Sequence, residues 1–194
     1  MELDLSHFNG IIAPLYDYIL PKRMPIEFLR LLKPQKTDKI LEIGAGTGRI
    51  TKHYGTMVTH LTLLDPAINM LKRALEHAPH AKLVEGVSED MACFPENTFD
   101  KIVCYDSLHH WQDQIKGLKE TRRVLKPGGF VIFMEVDMNN FWGRAVQLGE
   151  RILKMNSRMF KPNDLRTLLE KLGYKNILYD PTNGSLTYAM IGEK

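Results

Sequence analysis

Between residues 39 and 136 the chain alternates short apolar runs with longer amphipathic stretches. The runs at 39–43, 60–64, 81–85, 101–105 and 130–136 have the length and composition of strands. The intervening stretches place residues of one face three and four apart: Ile68, Leu71 and Leu75 within 67–77, and Ile115, Leu118, Arg122 and Leu125 within 115–125. Strands separated by helices of this kind predict an α/β, doubly wound, parallel sheet with helices on both faces. Farther on, 162–172 aligns Leu165, Leu168, Leu169 and Leu172, with Gly173 where a helix C-terminal cap is expected. Two last apolar runs, 174–179 and 186–191, flank Asn183-Gly184, a strong hairpin signal, so the sheet should finish with an antiparallel strand.

The 194 residues, 44% of them hydrophobic, suit one core, and no linker or internal repeat divides them. No window approaches the roughly 20 consecutive apolar residues of a membrane span, and the N-terminus lacks a basic region followed by an apolar one. A single-domain, soluble, cytoplasmic protein is the expectation. Cys93 and Cys104 fit neither a disulfide framework nor a paired metal motif, and read as structural thiols. The net charge of +3 is scattered along the chain, which gives no footprint for a nucleic acid.

The chemistry is concentrated where the run from Ile40 enters Gly44-Ala45-Gly46-Thr47-Gly48-Arg49. Glycines let a backbone turn sharply and approach a ligand, and the helix start that follows offers free N–H groups. Their spacing departs from the GxGxxG pattern of pyrophosphate-binding turns, and Glu42 stands two residues before the first of them. A carboxylate there disfavours a pyrophosphate and suits a ligand carrying an ammonium and a sulfonium, which points to S-adenosyl-L-methionine. Asp65 closes the second strand, where an acid can accept both ribose hydroxyls. An aspartate before Pro66 is also a favourable helix start, and the two roles are compatible.

In this order Leu41-Glu-Ile-Gly-Ala-Gly-Thr-Gly48, Asp65-Pro-Ala-Ile-Asn-Met-Leu71, Phe94-Pro-Glu-Asn-Thr-Phe-Asp100, Leu108-His-His-Trp111 and Arg123-Val-Leu-Lys-Pro-Gly-Gly129 resemble the class I S-adenosylmethionine-dependent methyltransferase family, and especially its ubiquinone/menaquinone-biosynthesis-like branch. The resemblance covers nearly the whole chain. It implies a Rossmann-like, seven-stranded, mostly parallel sheet in the order 3-2-1-4-5-7-6. It further implies an N-terminal helical cap over 1–35, a cofactor-binding core over 36–136, a variable substrate lid over 137–161, and a C-terminal helix and hairpin over 162–194. By the same resemblance Glu42 faces the methionine amino group, Gly44, Ala45, Gly46 and Gly48 wrap the cofactor, and Asp65 with Pro66 holds the ribose. Ala67 and Met70 pack near the adenine, Val87, Ser88 and Glu89 read its edge, and Tyr105 and Asp106 approach the methionine moiety. The family commonly has an aspartate where this chain has Val87, so Ser88 or Glu89 takes that role or the alignment shifts by one.

The sulfonium is an activated methyl donor, so alignment with the acceptor can suffice, and a base is useful when the acceptor is a phenol, enol or hydroxyl. Asp106, His109, His110, Glu135 and Asp137 lie near strand ends, and His109 and Glu135 are the catalytic candidates, each with a structural alternative. The acceptor's cover is expected from residues 8–24, where Tyr16 is the lid residue, and from 137–160, with Phe141, Trp142 and Arg144. The expected reaction is methyl transfer to a carbon or oxygen of a small apolar or aromatic molecule. The rival readings are a protein that binds S-adenosylmethionine or S-adenosylhomocysteine without catalysis, and a methyltransferase for nucleic acid or protein.

Overall fold

The structure, a computed structural model, describes residues 25–152, 157–182 and 186–194. In chain order these form α1 (Pro25–Leu32), β1 (Lys39–Ile43), α2 (Thr51–Tyr54), β2 (His60–Asp65), α3 (Ile68–Ala74), β3 (Lys82–Glu85) and β4 (Phe99–Tyr105). There follow α4 (Gln114–Val124), β5 (Leu125–Val136), α5 (Phe141–Ile152), α6 (Pro162–Lys171), β6 (Lys175–Asp180) and β7 (Thr187–Glu193). One seven-stranded sheet runs β3-β2-β1-β4-β5-β7-β6, as the resemblance implies. β1 to β5 pair in parallel, and β7 is antiparallel to both β5 and β6. The Asn183-Gly184 turn lies outside the described residues.

Both faces of the sheet are covered, which is why its central strands read as continuous apolar runs. Along β5, Val131 and Phe133 point into one core with Leu118 of α4 and Leu165 and Leu169 of α6, while Ile132 and Met134 point into the other. The second core holds Phe28 and Leu32 of α1, Tyr54 of α2, and Leu71 and Ala74 of α3. Local signals end the helices as expected. The Asp113 carboxylate accepts from Lys116 N at 2.9 Å at the start of α4, and α6 has proline in its first turn and Gly173 at φ +86° just beyond its end.

Three differences from the sequence pattern have physical causes. Leu125 is extended and pairs with Phe99, so α4 stops one residue short of the expected end and β5 begins five residues early, passing through a register shift opposite Asp100. α3 is shorter than 67–77: Ala67 stays outside the helix at ψ 88°, and after Ala74 the chain leaves it through successive turns. The stretch expected as a lid contains a twelve-residue helix, α5, started by Asn140, whose Oδ1 accepts from Gly143 N at 2.7 Å. Phe141 on that helix is 75% exposed and Arg144 is exposed, while the Trp142 side chain lies outside what is described.

Phe133 is fully buried at the middle of β5, between Trp111 and the α6 leucines. Phe133→Ala should lower unfolding stability by about 3–5 kcal/mol, measured by urea denaturation. A loss below about 1 kcal/mol would show that this core collapses around the cavity.

Candidate functional site

The turn after β1 sits where strand order reverses, between β1's neighbours β2 and β4, and such a switch point opens a crevice at the carboxyl ends of the strands. Gly44, Gly46 and Gly48 all have positive φ, at +72°, +53° and +80°. Gly44 has a second requirement: a Cβ there would lie 2.0 Å from Ser107 Oγ, in the loop after β4. Gly44 N and Ala45 N donate to the Leu64 carbonyl at 2.8 and 3.2 Å. Asp65, the next residue, accepts from Gly46 N through Oδ2 at 2.9 Å and from Ala67 N through Oδ1 at 2.8 Å. One carboxylate thereby ties the glycine turn of β1 to the turn that follows β2. Asp65 is 9% exposed, and burial raises its pKa. The Met70 methyl overhangs the turn, 3.4 Å from where a Gly46 Cβ would stand, and Pro66 is exposed beside it.

Glu42 lies on the face of β1 that meets α2 and is 1% exposed. Its Oε2 accepts from Tyr54 Oη at 2.6 Å and Thr51 Oγ1 at 2.8 Å, and among the described residues nothing donates to Oε1. Neutral hydroxyls offset only part of the desolvation, so burial pushes the Glu42 carboxyl up to about 7. Across the turn, Arg49 pairs with Asp106, Nη2 to Oδ2 at 2.9 Å, and its guanidinium lies 4.7 Å from the centre of the Tyr105 ring. Asp106 is a non-glycine residue at φ +53°, held by its N–H on the Met134 carbonyl at 2.7 Å. Arg49 has no role assigned to it from sequence alone. The available signal was its position as the cation directly after the last glycine.

The loop after β4 is braced from β5. Glu135 Oε1 accepts from Ser107 N at 3.2 Å and Leu108 N at 2.9 Å, and Oε2 contacts His109 Nδ1 at 2.5 Å. Glu135 is 3% and His109 1% exposed, whereas His110 is exposed. Trp111 Nε1 donates to Ser107 Oγ, and Gln114 Nε2 donates to the carbonyls of Leu108 and Arg158. Asp137, half-buried, spends its carboxylate on Asn139 N at 2.9 Å.

After β3, Val87 is 43% exposed, and the buried Ser88 donates its hydroxyl to Glu89 Oε2 at 2.8 Å. Glu89 Oε1 in turn accepts from Asp113 N, so Glu89 also fixes the start of α4. Thus Glu42, Gly44 to Gly48, Asp65 and Met70 gather at the β1 and β2 ends, Tyr105 and Asp106 join them through Arg49, and His109 and Glu135 form a separate buried pair under the loop. Tyr16 and the rest of 8–24 fall outside the described residues.

A family model described as a methyltransferase domain matches residues 41–133. Among curated proteins, 2-methyl-6-phytyl-1,4-hydroquinone methyltransferase 1, chloroplastic, of Oryza sativa subsp. japonica is 33% identical over 147 residues, 70% of this chain and 44% of the relative. The ubiquinone biosynthesis O-methyltransferase of Vibrio parahaemolyticus is 25% identical over 164 residues, covering 76% of this chain and 70% of that one. The chain spans about half or less of the first curated relatives it matches, 44% of one and 53% of the next. The solved structure of a SAM-dependent methyltransferase from Thermotoga maritima superposes with a TM-score of 0.73 at 22% identity, covering 88% of this chain and 87% of that one. A SAM-dependent methyltransferase from Archaeoglobus fulgidus gives 0.73 at 13% identity, covering 88% and 92%. These two likenesses establish the fold.

The brace under the β4 loop predicts a stability effect. Glu135→Gln keeps an acceptor for the two backbone N–H groups and loses the charge-assisted contact to His109, so unfolding stability should fall by about 1–3 kcal/mol in urea titrations. An unchanged midpoint would remove Glu135 from the loop's support.

Proposed function

We propose that this chain is an S-adenosylmethionine-dependent methyltransferase that transfers a methyl group from this cofactor to a carbon or oxygen of a small apolar or aromatic acceptor, a reading supported by the methyltransferase-domain match and the methyltransferase relatives. The observation that carries the proposal is the pair of buried carboxylates, Glu42 and Asp65, flanking a glycine turn at the sheet's switch point. The donor set fits this cofactor. Two acids would repel a pyrophosphate, whereas an ammonium and a ribose answer them, and the turn has no room for a side chain at Gly44 or Gly48, while Gly46 is held at φ +53°.

In this reading Asp65 keeps its bonds to Gly46 N and Ala67 N and uses the remaining lone pairs for the ribose hydroxyls, because each carboxylate oxygen accepts more than one hydrogen bond. Pro66 and Met70 cover the sugar and adenine, and Val87, Ser88 and Glu89 border the adenine edge, with the apolar Val87 in place of the family's aspartate. Glu42 offers Oε1 to the methionine ammonium. When bound, the cofactor supplies a methyl group on positively charged sulfur, already poised for displacement. The protein's part is then alignment and exclusion of water at Tyr105 and Asp106. We assign His109 and Glu135 to positioning the β4 loop, since His109 is enclosed and Glu135 is occupied by three donors. The names of the hydroquinone and ubiquinone relatives support an aromatic acceptor, which is the substrate class we propose.

Two outcomes are expected. With S-adenosylmethionine and alkyl-substituted hydroquinones, the protein should release S-adenosylhomocysteine together with methylated product, detected by mass spectrometry; cofactor binding without turnover across such a panel would favour a binding protein. The second concerns pH. Glu42, raised from 4.5 to about 7, keeps its proton in the folded protein over a range where the unfolded chain loses it. Its contribution to stability is therefore full below pH 4.5 and lost as pH rises through 7. An ammonium ligand needs the ionised form, so affinity for S-adenosylhomocysteine should weaken by up to about tenfold per pH unit below 7. Glu42→Gln should flatten that slope, and a wild-type affinity independent of pH between about 5.5 and 7, on the acid side of the expected titration, would contradict the assignment.

A further inference from the structure

We propose that Arg49 reads the carboxylate of the cofactor's methionine moiety, forming with Glu42 a pair of opposite charges that selects an intact amino-acid end. The inference rests on the cofactor reading above and adds a residue and a specificity to it. Among the described residues three acids and one guanidinium surround the turn: Glu42, Asp65 and Asp106 against Arg49. The cofactor carries two positive groups, sulfonium and ammonium, and one negative group, the carboxylate. Glu42 and Asp106 suit the positive groups, and the negative one requires a cation.

Arg49 has the geometry for that task. A guanidinium presents five N–H donors in a planar fork, and among the described residues the acceptor it meets is Asp106 Oδ2, 2.9 Å from Nη2. Among the described residues Nε and Nη1 have no acceptor. The side chain is 25% exposed, so the unused edge is neither sealed in the core nor dispersed in solvent. Asp106 anchors one edge of the fork and the Tyr105 ring supports its face at 4.7 Å, which leaves few rotamers to lose on binding. Its charge also acts on both Glu42 and Tyr105, favouring the ionised form of each, so it lies within electrostatic reach of the pocket the ammonium would enter. A carboxylate docking on the free edge would share the guanidinium with Asp106, as a planar fork permits.

Calorimetric titration with two probes tests this: S-adenosylhomocysteine, and its decarboxylated analogue S-adenosyl-3-thiopropylamine, which keeps the ammonium. The wild type should bind the first about 10- to 100-fold more tightly, the range expected of a charged hydrogen-bonded contact. Arg49→Met should erase the difference by weakening S-adenosylhomocysteine alone, and Arg49→Lys, which keeps the charge without the fork, should leave an intermediate gap. Equal weakening of both probes would make Arg49 a structural residue and overturn the inference, as would a gap that survives Arg49→Met. Should Arg49→Met fail to fold, a full wild-type gap in Arg49→Lys would overturn it. Wild-type protein that binds neither probe would refute the cofactor reading itself, a result distinct from the loss of discrimination.

Discussion

The site depends on the carboxylate of Asp65. Its two oxygens hold Gly46 N and Ala67 N, one from the turn after β1 and one from the turn after β2, and so make two adjacent strand ends behave as one rim. Hydrogen bonds of this charge-assisted kind contribute about 1.5–3 kcal/mol each, enough to fix a glycine-rich segment that would otherwise have many conformations. The turn in turn sets where Glu42 and Arg49 stand, because one precedes it in β1 and the other leaves it toward α2. Contact between Gly44 and Ser107 then brings the β4 loop against the same rim.

Two buried glutamates on opposite faces of the sheet show how donor chemistry separates holding a structure from being available to a ligand. Glu135 meets two backbone N–H groups and an imidazole, which occupy both oxygens and bind the β4 loop to β5. Among the described residues Glu42 meets only the hydroxyls of Thr51 and Tyr54, both on one oxygen, and its carboxyl is driven up to about 7. An acid left in that condition gains from an incoming cation, whereas a fully satisfied one does not.

Much of the fold was legible because buried parallel strands and amphipathic helices leave different periods in the sequence. The runs at 39–43 and 60–64 and the leucines of α6 settle into place within a residue or so of expectation. What escaped was set by partners distant in the chain. Leu125 is extended because Phe99 pairs with it, and no window centred on residue 125 contains that information. α5 carried a readable cap in Asn140, but two glycines interrupt its apolar pattern. At the candidate site, Glu42 and the glycines could be grouped because strand and turn adjoin in sequence, and Asp65 because it ends the second strand. The Arg49–Asp106 pair spans 57 residues and the Glu135–His109 pair 26, so neither could be read from spacing. The lid assigned to Tyr16 lies outside the described residues.

The most direct test of the acid-flanked turn as a sulfonium-cofactor site is isothermal titration of the protein with S-adenosylmethionine, S-adenosylhomocysteine and NADH, repeated on Asp65→Ala with its fold verified by circular dichroism. Stoichiometric binding of both sulfur compounds, loss of that binding in the folded variant, and no response to NADH are the expected results. Tight NADH binding without a response to either sulfur compound would contradict that reading of the turn.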